Sequence, residues 1–171
     1  PLVLYPPARY RDRVHVSWAA GVYDGKIRLP AEGAAGQTLR FRATLFHEYA
    51  HALVHRSVGT VPVPAWLNEG LADVAKLRAD PGPPVPCAAG HAAALSSLEA
   101  GFGRLDHRAA LAAYAEGRHA VERLVERHGE EGVRALLHEI AVQHDFRLGF
   151  RAALGRDYDA FAHEFDAEAR N

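Results

Sequence analysis

Hydrophobic and polar positions change their period along this chain of 171 residues. Val14, Val16 and Trp18 alternate with His15 and Ser17, the two-residue period of a half-buried strand. Asp24-Gly25 is a turn signal. After it Ile27 and Leu29 alternate with Lys26 and Arg28 in a short strand stopped by Pro30. Residues 1–37 are therefore expected to be β-rich. From about Thr38 the period becomes helical: Leu45, Phe46, Tyr49, Ala50, Leu53 and Val54 make an apolar face, and Gly59 marks its end. Val61-Pro62-Val63-Pro64 reads as an extended connector. A second helix is expected over about residues 65–79, with Leu67, Leu71, Val74 and Ala75 turned inward.

Residues 80–86 carry four prolines and a glycine and predict a loop at a subdomain border. Beyond them the pattern is helical throughout, over about 91–100, 106–128, 130–143, 145–154 and 157–169. Asp106, Asp145 and Asp157 are candidate N-caps, and Gly129 and Gly155 candidate stops. Strands first and helices afterwards predict an α+β fold: a small N-terminal mixed sheet, then two helices, then a helical C-terminal half. The length fits a single domain spanning 1–171, with sheet and first helices in 1–80 and a helical subdomain in 81–171.

Composition mainly excludes. A hydrophobic share of 49%, a charged share of 24% and a net charge of -1 are those of an ordinary globular domain, with no field for nucleic acid or an anionic membrane. The single cysteine, Cys87, rules out an internal disulfide or a multi-cysteine zinc site. No run of about 18 apolar residues is present, and the start has no basic segment followed by an apolar one. The chain has no methionine and opens on Pro1-Leu2-Val3-Leu4-Tyr5. It is expected to be a processed product or a domain of a longer protein.

The chemistry lies in residues 47–51, His-Glu-Tyr-Ala-His. On a helix, positions four apart share one face, so the imidazoles of His47 and His51 can converge on one ion. Glu48 is turned by about 100° and can approach the ion's open side without ligating it. With 11 histidines in the chain the pentapeptide alone is weak evidence. His138-Glu139 and His163-Glu164 lack a second histidine four residues on and read as structural pairs. A catalytic zinc takes three protein ligands. Glu69 follows His51 after 17 residues, enough for the rest of one helix, a turn and the start of the next. Read alone, Glu69 is also a carboxylate favoured by a helix N-terminus. Asp73 shares its face and can accept the free N–H of a ligating histidine. Gly70 gives the small profile that two closely approaching helices need.

His-Glu-x-x-His followed by Trp-Leu-Asn-Glu-Gly-Leu-Ala resembles the gluzincin metallopeptidases. Over most of its length the chain resembles the peptidase MA-like domain of bacterial proteins, often found beside tetratricopeptide repeats. The likeness includes Ala20-Gly21-Val22-Tyr23, Ala113-Tyr114, a helix ending in His128-Gly129, and residues 155–165. It implies a zincin-like fold, one Zn2+ per chain held by His47, His51 and Glu69, and Glu48 as general base. It also implies an oxyanion donor from the helical half, with Tyr114 the first candidate and His119 the second; Tyr114 equally suits a packing role. Zincins commonly add an extended peptide to a sheet edge, which makes Lys26, Ile27, Arg28 and Leu29 candidate substrate contacts unless they form an ordinary hairpin strand. Trp66 reads as packing at a helix start.

The expected partner is a peptide or protein substrate, with no nucleic acid and no membrane span. A secreted or periplasmic bacterial setting is preferred to a cytoplasmic one. Zinc aminopeptidases carry a Gly-x-Met-Glu-Asn element that grips the substrate amine. No Gly-x-x-Glu-Asn precedes His47, so an endopeptidase is expected over an aminopeptidase. The rival from another class is a zinc-binding interaction module without peptidase activity, against which the presence of Glu48 counts.

Overall fold

The computed structural model describes residues 1–14, 20–32, 34–36, 38–81 and 93–168. They are mostly helical, with a three-stranded mixed sheet near the start, so the class is α+β. The strands are β1 (Leu2–Tyr5), β2 (Val22–Tyr23) and β3 (Ile27–Pro30). The helices are α1 (Pro7–Arg13), α2 (Leu39–Val58), α3 (Ala65–Ala79), α4 (His107–Gln143), α5 (Phe146–Leu154) and α6 (Tyr158–Glu168). Contacts gather the chain into two compact units, Pro1–Leu53 with Ala72–Pro84, and Val54–Leu71 with Val85–Asn171.

In the first unit β3 is the central strand. It runs parallel to β1, with Leu2 opposite Ile27 and Leu4 opposite Leu29, and antiparallel to β2, with Val22 opposite Arg28 and Tyr23 opposite Ile27. The alternation read from the sequence holds, since Ile27 and Leu29 are buried. Arg28 is tied down on the other face. Its Nε donates to both carboxylate oxygens of Asp24 at 3.0 Å, and its Nη1 donates to the Tyr5 hydroxyl. The strand expected over 14–18 falls largely on residues 15–19, outside the described ones. Val14 is the extended residue that closes α1. That helix corrects the expectation of a wholly β-rich start: Pro7 sits in its first turn, where its fixed φ suits a helix and its missing N–H costs nothing.

No glycine or proline interrupts α2, and the Phe41 N–H donates to Thr38 Oγ1 at its start. Its inward face matches the expected one only in part: Val54 lies on it, but others do not. Ala43, Val54 and Val58 are buried together with Glu48, while Phe46, Tyr49 and Leu53 are exposed. The reason is angular. His47 and His51 stand on one side of the helix, and Phe46 and Leu53 lie about 100° or more around from them.

In the second unit an aromatic cluster forms the core. Trp66, at the start of α3, stacks on Tyr158 at 6.0 Å and donates its indole N–H to the Tyr158 hydroxyl at 3.1 Å. Phe146, Phe150 and Phe161 pack around this pair, and none of them is exposed. Trp66 thus has the packing role expected of it. Gly70 faces Gly117 of α4 so closely that no Cβ fits between the two backbones. Gly149 of α5 makes a similar approach, where a Cβ would come 2.6 Å from Ile140 Cα.

The N-caps of the C-terminal half follow the sequence. Asp106 accepts from the Ala109 N–H and Asp145 from the Leu148 N–H, both at 2.8 Å. Two helical arms meet in α4 at Gly129, whose φ of 69° and ψ of 175° only glycine adopts readily. Asp157 acts through its backbone carbonyl, which accepts from the Phe161 N–H, while its side chain pairs with Arg151 at 3.3 Å. The helix expected over 91–100 is, from residue 93 on, a single 3₁₀ turn at Leu95–Leu98, whose Leu95 N–H is capped by Asp166. Residues 91 and 92, like 82–86 of the expected loop and residue 169, lie outside the described residues.

Candidate metal centre

One turn of α2 sets the two histidines. His47 Nε2 and His51 Nε2 stand 3.2 Å apart, with the rings edge-to-face at a centroid distance of 4.8 Å. Glu69 joins them, and one ligand atom from each of the three lies within 4.8 Å of the others. All three side chains are half-buried. Tetrahedral ligands about 2.0–2.2 Å from one ion sit roughly 3.3–3.6 Å from each other. The imidazole pair is already near that separation. Two imidazoles and one carboxylate are a donor set that divalent ions of this kind accept. This set fits a divalent ion of the zinc kind.

Glu48 projects from the same helix turn into the first unit and is 5% exposed. It lies against Gly21: a Cβ built on Gly21 would meet Glu48 Cγ at 2.7 Å, Glu48 Oε1 at 2.8 Å and Leu29 Cδ2 at 2.7 Å. Tyr10 of α1 is buried nearby. Burial, and then the negative charge of Glu48, push its hydroxyl pKa up to about 12. Neither Tyr10 nor the contact of Gly21 was foreseen. Tyr10 sits in a polar, arginine-rich segment whose helical signal is the proline at its start. Gly21 has no local pattern that discloses its neighbour.

Asp73 is buried on α3, one turn beyond Glu69, and Lys76 Nζ lies 3.4 Å from its Oδ1. Tyr114 lies in α4, half-buried and edge-on to Phe102 at 5.3 Å. His119 is on the surface, 3.8 Å from Glu122. Of Lys26, Ile27, Arg28 and Leu29, the expected substrate contacts, Ile27 and Arg28 do not lie on an open edge. Ile27 and Arg28 of β3 are paired on both sides, by β1 and by β2, so no peptide can add there. Leu29 is fully buried, and Arg28 is held by Asp24 and Tyr5. Among the described residues, β1 and β2 are the two outer strands of the sheet, and β2 directly follows Gly21.

Compared with known proteins, the chain matches no protein-family model, no curated protein and no solved structure. No helix among the described residues is long and apolar enough to cross a membrane.

Proposed function

We propose that this chain is a zinc-dependent peptidase of the gluzincin type with a zincin-like fold, cleaving internal peptide bonds. The observation that carries the reading is the convergence of His47, His51 and Glu69, with Glu48 buried on the next position of the same helix. His47, His51 and Glu69 would hold the zinc, which when bound would supply Lewis acidity toward water and a substrate carbonyl.

The remaining roles belong to the protein. Glu48 takes the proton of the attacking water on its carboxylate and passes it to the leaving amine. Its burial against Gly21 supports this role, because a solvated glutamate on a helix surface has no fixed direction. Asp73 accepts the second ring N–H of a ligating histidine and fixes its tautomer. Tyr114 donates to the developing oxyanion. The substrate backbone adds in extended form along β2, in place of the strand expected from the sequence.

The test is digestion of a mixed peptide library with zinc present, read by mass spectrometry. Cleavage at internal bonds, lost with a chelator and regained with zinc, is expected. Bound zinc without any cleavage would return the chain to a metal-binding module, and release of single N-terminal residues would make it an aminopeptidase.

A further inference from the structure

We propose that Gly21 is a positioning residue for Glu48, its bare Cα forming the wall that holds the carboxylate in one orientation. The proposal deepens the peptidase reading and rests on it for the catalytic consequence. Glycine at this position is not demanded by the backbone. Gly21, unlike Gly25 at +89°, has no φ in the left-handed region, so alanine could adopt its conformation. What excludes a side chain is contact: a Cβ would stand 2.7 Å from Glu48 Cγ and 2.8 Å from Oε1. Real Cβ atoms essentially never approach so closely. Neither neighbour can yield cheaply. Leu29, on the other flank, is fully buried, and Glu48 is met at Cγ, in the middle of its side chain. An added methyl therefore presses on both the Glu48 stem and Leu29 Cδ2, and relief on the Glu48 side turns the carboxylate from its present direction.

A general base acts only within hydrogen-bond reach of its proton, and a misplacement of about 1 Å can cost roughly 100-fold in rate. Gly21 is also the residue from which β2 departs, so one backbone position sets both the base and the strand beside it.

The test is a double-mutant cycle on the zinc-loaded chain. Gly21→Ala is expected to keep its zinc and its KM within a few-fold while kcat falls about 100-fold. A role confined to stability would leave kcat of the folded fraction unchanged, and that result overturns the proposal. The second readout needs no substrate. Gly21→Ala lowers Tm by several degrees in the native background. In the Glu48→Ala background, where Cγ and the carboxylate are gone, it lowers Tm by less than half as much. Equal drops in both backgrounds overturn the proposal. If Gly21→Ala alone fails to fold, recovery of folding in the double variant is the same coupling and supports it; failure of both overturns it. If the wild type cleaves no peptide while the Tm coupling persists, the peptidase reading falls and the hold of Gly21 on Glu48 stands.

Discussion

Gly70 of α3 lies directly against the backbone of Gly117 of α4, and Gly117 in turn lies against Trp66, one turn earlier on α3. Two glycines face each other at the crossing, so the helices approach at backbone distance. Gly70→Ala adds a methyl where only a carbonyl stands, and Val121 Cγ2 closes the other direction at 2.8 Å. Overpacking of this kind costs about 1–3 kcal/mol, sometimes more, against a helix-propensity gain of about 1 kcal/mol. Because the obstacle is backbone, the steric term should win. Denaturant unfolding should show a lower midpoint with an unchanged slope. A stabilised variant would mean that the crossing is looser than described.

Glu164 gives a pH dependence with a definite sign. Arg127 and Arg156, each 2.7 Å away, hold its carboxyl at about 2, below the ordinary glutamate value of 4.5. A carboxylate with a depressed folded pKa contributes stability above the unfolded value and loses it as pH falls toward the folded one. The contribution should therefore be present above about pH 4.5 and fade toward pH 2. Glu164→Gln should lower stability at neutral pH and flatten the acid limb in that window. An unaltered acid limb would show that the two arginines do not act on Glu164 in solution. Since the group is exposed, salt should weaken the effect.

Most of the long helices and the pairing of His47 with His51 are legible in the sequence because both rest on local spacing. The 65–79 helix is bounded by Pro64 and by the Asp80-Pro81 pair, and four-residue periodicity puts His47 beside His51. What was illegible depended on contacts between distant segments. Strand alternation placed Ile27 and Leu29 correctly on a buried face, yet it carries no information about strand order, so β3 passed for an edge when it is central. On α2, apolarity alone points to Phe46, Tyr49 and Leu53, but the buried side carries the carboxylate of Glu48. Gly70 was rightly read as a site of close approach, but α4 as its neighbour became visible only in three dimensions.

Removing Glu69 should separate ligation from packing. Glu69→Ala leaves two imidazoles, and zinc affinity should fall by more than the roughly 10–100-fold typical of losing an outer partner. Asp73→Ala should fall within that smaller range. Isothermal titration with zinc distinguishes the two, and equal small losses would remove Glu69 from the ligand set. The metal should also stabilise the fold by mass action, about 2.7 kcal/mol at a free concentration 100 times its Kd. A chelator should then lower Tm of the wild type and have little effect on Glu69→Ala.

Most direct is the measurement of bound zinc and peptide cleavage together in Glu48→Gln, which removes the base while leaving His47, His51 and Glu69 in place. The account predicts one zinc per chain, as in the wild type, with turnover reduced by about 100-fold or more. Cleavage at the wild-type rate by the zinc-loaded Glu48→Gln protein would contradict it.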